Sequence, residues 1–250
     1  VQYGDFAEWQ HADLERERQK ASLAYWRGQL ADVEPSDLPL DRPRPPVQTF
    51  VGDDFAFPMP AALRARPDAL CRRAGVSLFT VPLAALQVML HRYTGQRGIA
   101  VGSPVSNRVR VEIEPLIGLF VNTLVYKADV DRKESFLAFL AKVQKAVAEA
   151  QANQEVPFEE LVEAIAPERY LSMNPLFQVC FNLLPQRGMP TSGTLRVEES
   201  TGVRNGWSKF DLWVGAIDRG GDLLVEVEFN SVVFEEESST PRPGACWSRR

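Results

Sequence analysis

Leu116-Ile117-Gly118-Leu119-Phe120-Val121-Asn122-Thr123-Leu124-Val125 is the stretch from which the rest of the chain is best read. Ile, Phe, Val and Thr favour extended backbone, and Pro115 and Gly118 punctuate its start. A run that is apolar on both alternations predicts a strand buried on both faces, deep in a mixed or parallel sheet. In such a strand the Asn122 amide is costly unless it is hydrogen-bonded. Two readings stand: a structural amide tying strands together, or a polar group facing a ligand cleft.

Outward from this run, the polar segment Ser103 to Glu114 reads as a loop, and Ile99-Ala100-Val101 as a short strand before it. Leu83, Leu86, Leu90 and Tyr93 mark a helix, with Thr80 as its N-cap and Pro82 in its first turns. Ala61 to Ala74 is helical in pattern but interrupted at Pro67. Phe50 to Phe57 suits a strand. Pro35 to Pro46 forms an extended connector, and His11 to Leu30 an amphipathic helix carrying Leu23, Trp26 and Leu30. Tyr3, Phe6 and Trp9 form a packing stripe ahead of it. On the other side, Asp131 to Glu134 resembles a capping box before a helix through Phe136, Leu140, Val143 and Val147. A short helix starts near Pro157 with Glu159 and Glu160 in its first turn. Leu176 to Leu184 reads as a strand, and 211–217 with 223–229 as a hairpin. The expected class is α/β in the α+β sense, a mixed sheet with flanking helices.

The 250 residues are 45% hydrophobic with a net charge of -5, which describes a globular chain and disfavours a general nucleic-acid partner. No apolar stretch reaches the length of a membrane span. Cys71, Cys180 and Cys246 are too widely spaced for a disulfide framework or a zinc site, and a reducing, cytoplasmic setting is expected. The polar text after Phe234 has no periodicity and reads as a disordered or foreign tail over 237–250.

The residues alone name no reaction. The two histidines, His11 and His91, lack ligand or triad spacing. There is no Gly-x-Ser-x-Gly elbow, phosphate-cradling loop or His-Glu-x-x-His. Glu159/Glu160 and Glu226/Glu228 read as solvated faces rather than an acid/base dyad.

Four stretches, taken in order, carry a resemblance. Tyr3 to Gln10, Ile117 to Thr123, Asn153-Gln154-Glu155-Val156-Pro157-Phe158-Glu159 and Arg169-Tyr170-Leu171-Ser172-Met173-Asn174-Pro175-Leu176-Phe177 resemble successive core motifs of nonribosomal peptide synthetase condensation domains. Gly102 to Arg108 and Ser208-Lys209-Phe210-Asp211-Leu212 also resemble family stretches. The resemblance implies a chloramphenicol acetyltransferase-like fold of two lobes in a V. It divides this chain into the end of the N-terminal lobe and connector over 1–48 and the C-terminal lobe over 49–236. It implies amide formation between acyl or peptidyl and aminoacyl thioesters, both carried on phosphopantetheine arms of partner carrier domains, with an adenylation domain as a further partner. No metal and no directly bound cofactor are implied. The family's His-His-x-x-x-Asp-Gly signature belongs before the Tyr3 to Gln10 motif and does not occur in this sequence. No catalytic residue is therefore assigned, and the chain alone is expected to be inactive.

Carried over by motif, Asn122 becomes a cleft-facing candidate, and Ser208 a candidate for hydrogen-bonding the acceptor amine, with turn formation as its other reading. Arg108 and Asp211 are expected to form a buried pair bracing the lobe. Asn174, before Pro175, is a turn residue. A carrier-docking scaffold lobe without chemistry and a freestanding CoA-dependent acyltransferase are the alternative readings.

Overall fold

The computed structural model describes residues 1–13, 17–59, 61–165, 170–185, 205–219 and 222–235. Helices α1 (Tyr3–Asp13) and α2 (Glu17–Leu30) lead into an extended strap, then β1 (Asp53–Met59), α3 (Ala61–Ala74), α4 (Thr80–Thr94) and β2 (Gly98–Val105). There follow β3 (Asn122–Asp129), α5 (Phe136–Ala152), α6 (Phe158–Ile165), β4 (Val179–Pro185), β5 (Leu212–Asp218) and β6 (Leu223–Phe229). The six strands form one sheet in the order β1-β6-β5-β4-β2-β3. β4 runs parallel to both β2 and β5, and the remaining pairs are antiparallel. This is the mixed sheet with flanking helices that the pattern predicts.

The core lies between this sheet and the helices. α4 and α5 pack on each other and on β2 and β3. Val81, Leu83, Leu90, Leu140, Val143 and Val147 meet Ile99, Val101, Leu124 and Tyr126 in one cluster. Leu83, Leu86 and Leu90 of α4, like Leu140, Val143 and Val147 of α5, recur at three- and four-residue spacing and so share one face. Trp26, Leu30 and Leu38 join the same cluster, so the segment before β1 is packed into it. The Trp26 indole N–H donates to the Asn153 carbonyl at 3.0 Å, which satisfies its one polar atom. Gly102, at the β2–β4 contact, leaves its Cβ position to the Phe177 ring, so a larger residue would displace that ring.

Four local expectations are corrected. The strand of the opening run starts only at Asn122, and β3 is an edge strand rather than a deep one. Residues 116–121 are non-strand backbone with Ile117, Leu119 and Val121 exposed. α3 runs on through Pro67, whose ring fixes a helical φ and costs an N–H rather than the path of the chain. α4 has Phe79 at its N-cap instead of Thr80, and the Ser77 hydroxyl accepts from the Thr80 amide at 3.3 Å. At α5 the cap is Ser135, whose side chain accepts from the Ala138 amide, while Asp131 turns back on the Lys133 amide. In both helices a nearby hydroxyl of suitable reach replaced the residue with the better-looking spacing. The turn glycines Gly220 and Gly221, and the tail 237–250, lie outside the described residues.

Candidate functional site

The polar residues singled out by motif lie at strand ends or in the loops beside them, and each is built into the fold by its neighbours. Asn122 opens β3. Its amide nitrogen donates to the carbonyls of Gln154 and Val156, both at 2.7 Å, and its oxygen accepts from the amides of Thr123 at 2.8 Å and Phe158 at 3.0 Å. Both donor hydrogens and both oxygen lone pairs are thereby used. The side chain clamps the turn before α6 to the start of the edge strand. This placement follows from the backbone: the 154–158 turn carries carbonyls and an amide with no ladder to join, and a buried amide side chain completes them.

Asp211 is buried, 3% exposed as a side chain, and its partner is Arg44 of the strap. The pair is bidentate, Nη1 to Oδ1 at 2.8 Å and Nη2 to Oδ2. Arg44 also reaches the Ser172 carbonyl at 3.4 Å. The expected Arg108–Asp211 pair is therefore corrected. Arg108 instead donates to the Ile113 and Glu114 carbonyls and lies 4.2 Å over the Phe120 ring. A planar fork suits both tasks: carboxylate in one case, carbonyls and an aromatic face in the other.

Sequence reading missed Arg44 and Gln178. Arg44 stands in Arg42-Pro43-Arg44-Pro45-Pro46, where flanking prolines stiffen the strap and hold its direction, a signal that was available but named no partner. Gln178 is buried; its side chain accepts from the Ser36 amide at 2.5 Å and donates to the Asn174 carbonyl at 2.8 Å. Its carbonyl takes the Asp211 and Leu212 amides at 3.1 and 3.3 Å. Asn174 accepts the Leu176 and Phe177 amides at 3.0 and 3.3 Å, a side-chain turn leading into β4.

Ser208 is buried beside Gly52, whose Cβ position its own backbone and side chain occupy. Its hydroxyl donates to the Phe210 carbonyl at 2.6 Å, and its amide to the Phe50 carbonyl at 2.9 Å. Burial raises the nearby Glu228 carboxyl above its ordinary value, opposed by the hydrogen bond it accepts from the Lys209 amide at 3.3 Å.

His91 is buried with both ring nitrogens engaged. Nδ1 faces the Gln96 carbonyl at 2.7 Å, and Nε2 receives the Arg132 Nε–H at 3.3 Å. With Nε2 as acceptor, Nδ1 carries the proton and no lone pair is left to act as a base. His11 lies exposed on α1. Among the described residues no cluster of three or more His, Cys, Asp or Glu could hold a metal, and no helix is long and apolar enough to cross a membrane.

Cys180 is a buried thiol on β4, pushed up to about 12 from 9.0 by burial and then by the Glu228 charge. Its contribution to stability is complete below pH 9.0, where both states hold the proton, and is lost as pH rises toward 12. Cys71 is shifted in the same direction, by burial and then by Asp68. Iodoacetamide at pH 8 is expected to modify Cys71 well before Cys180 in native buffer and both alike in urea. Rapid native labelling of Cys180, read by peptide mass, would contradict this packing.

The mixed sheet with its flanking helices is an α/β fold of the chloramphenicol acetyltransferase-like, condensation-domain type, as its structural neighbours show. The X-domain from teicoplanin biosynthesis superposes with TM-score 0.86 at 27% identity, covering 95% of this chain and 56% of that one. A four-domain nonribosomal peptide synthetase, holo-AB3403, matches with TM-score 0.80 at 25% identity over 89% of this chain and 18% of that one. In sequence, a subunit of the linear gramicidin synthase of Brevibacillus parabrevis is 40% identical over 243 residues, covering 96% of this chain and 5% of that protein. Phosphinothricin tripeptide synthetase PhsC of Streptomyces viridochromogenes is 39% identical over 94% of this chain and 22% of its own length. The model of the condensation-domain family matches residues 1–241, and the chain belongs to that family. It spans only a small part of these much longer relatives.

Proposed function

We propose that this chain forms one lobe and the connector of a condensation domain that makes an amide between carrier-bound thioesters in nonribosomal peptide synthesis. The observation that carries this reading is the family match over residues 1–241, beside the ordered polar braces of its motifs. In the reaction the amine nitrogen of an aminoacyl thioester attacks the carbonyl carbon of an acyl or peptidyl thioester. The carbon–sulfur bond breaks, the thiol leaves on its phosphopantetheine arm, and the amine gives up a proton. Positioning two tethered reactants supplies a large part of such rate enhancement.

In this reading the residues of the chain are positioning residues. Asn122 holds the start of the edge strand against the turn before α6, and Ser208 and the Arg44–Asp211 pair hold the strap against β5. His91 has both ring nitrogens engaged, and this reading gives it no part in proton transfer. The partners are carrier domains, an adenylation domain and an N-terminal lobe, to which residues 1–48 lead. Free thiols at Cys71 and Cys180 support a reducing, cytoplasmic setting.

The test uses carrier domains charged with an acyl and an aminoacyl group. Amide product, read by mass spectrometry, is expected from the chain extended by the in-frame polypeptide encoded directly upstream of Val1, and not from the 250 residues alone. Amide formed by the chain alone, or by neither form, overturns the reading.

A further inference from the structure

β1 lies at the edge of the sheet away from β3, and among the described residues β6 is its one strand neighbour. The strap ends here. The Gly52 amide donates to the Gly206 carbonyl at 3.0 Å, Val51 bridges Trp207, and β1 then pairs with β6 from Asp53 opposite Phe229 to Met59 opposite Leu223. α3 follows. The hold of β6 on β1 therefore also sets the hold on the end of the strap and the start of α3. On one face of β1 the pairing is apolar: the Phe55 ring lies 6.2 Å from the rings of Phe57 and Phe229.

The other face carries charge. Asp54 stands directly opposite Glu228, and Ala56 opposite Glu226. Directly opposite residues of neighbouring strands share a face, and like charges so placed oppose the pairing. Further across, Glu228 faces Trp213 of β5, which faces Cys180 of β4. Trp213 brings no charge, and its ring lies where a Cβ on Gly215 would stand. Lys209, ahead of β5, gives its backbone amide to Glu228 Oε1 at 3.3 Å. Among the described residues no salt bridge joins Lys209 or another cation to Asp54, Glu226 or Glu228. Two carboxylates thus meet across the last pair of strands with no side-chain cation to separate them.

We propose that the pairing of β1 with β6 is graded by pH through Asp54 and Glu228, which seat the edge strand and the end of the strap closely in mild acid and loosen them toward neutral pH. Burial raises the Glu228 carboxyl above its ordinary 4.5, and the Asp54 charge adds to this against the Lys209 amide and ammonium. Opening β1 removes the Asp54 charge and uncovers one side of Glu228. The closed sheet therefore holds the Glu228 proton more tightly than the opened one. The pairing is at full strength below pH 4.5, where both forms are protonated, and weakens as pH rises through the raised value. One opposed pair acts against seven paired residues and an apolar face, so the strand loosens by degrees and does not detach.

Native-state hydrogen exchange of the 250-residue chain tests this at pH 5 and pH 7.5, each amide rate being divided by its unprotected rate at the same pH. Protection of the β1 amides relative to those of β2 and β4 is expected to fall by about two- to fivefold from pH 5 to pH 7.5. Glu228→Gln keeps an oxygen for the Lys209 amide and is expected to abolish the fall. Asp54→Asn is expected to lessen it, since burial of Glu228 acts without Asp54. A wild-type ratio that is flat or rises with pH overturns the proposal. So does a fall that Glu228→Gln leaves intact, or one that Asp54→Asn leaves whole. Asp54 is only half-buried on the edge strand, so Asp54→Asn decides the matter by itself where Glu228→Gln does not fold.

Discussion

Asp211→Ala is expected to destabilise the protein by about 3 kcal/mol or more, the lower part of the range for breaking a buried ion pair. The reason is asymmetric loss. Arg44 would keep its charge, 17% exposed, with the bidentate acceptor gone and only the Ser172 carbonyl at 3.4 Å left to it. Partial exposure of the guanidinium limits the penalty, because water can reach one side. The backbone of Asp211 would stay bonded, its amide to Gln178 and its carbonyl to the Asn230 amide at 3.0 Å, so the loss is confined to the side chain. For a chain of this size the melting midpoint should fall by about 6–12 °C. Urea unfolding of Asp211→Ala, Arg44→Met and the double variant measures the coupling. A double variant as unstable as the sum of the two single ones would mean that the pair braces nothing.

Asn122→Ala comes next, at about 2–4 kcal/mol. It strips partners from the Gln154 and Val156 carbonyls and from the Phe158 and Thr123 amides together. Of these the Val156 contact is the buried one, and a buried carbonyl without a partner bears the full cost of desolvation. Asn122→Asp separates hydrogen bonding from shape. The introduced carboxylate could still accept from the Thr123 and Phe158 amides but would face two carbonyl oxygens in place of donating to them. That repulsion raises the introduced group's folded pKa above its unfolded one, so its stability deficit relative to wild type should grow as pH rises through the carboxylate range. Melting of the wild type and Asn122→Asp at pH 4 and pH 7 checks the sign. A deficit that shrinks toward pH 7 would show that the amide does not donate as described.

These two residues also show where reading a sequence stops. The Asn122 amide could be recognised as costly in an apolar run, and its motif marked it out, yet its role depends on a turn whose nearest bonded atoms lie 32 residues further on. Asp211 could be recognised as needing a partner. The choice between Arg108 and Arg44 turned on the path of a proline-rich strap and on a separation of 167 residues, which no local pattern encodes. Gln178 gave no signal, because a glutamine in an apolar strand looks the same whether it is buried and fully bonded or wet.

What the amino-acid sequence determined by itself is the local grammar: helices at 83–93 and 136–147 from their spacing, a hairpin from its glycine-bearing turn, a mixed sheet with flanking helices, and family membership from ordered motifs. The helices and the hairpin are legible because their hydrogen bonds close within a few residues. Only the tertiary structure decided that Ile117, Leu119 and Val121 lie exposed ahead of β3, that β3 lies at an edge, and that Arg44 holds Asp211. Hydrophobic composition says that a side chain favours leaving water, but the effect has no direction. Which surface receives it is set by topology, and in this fold Ile117, Leu119 and Val121 stay exposed.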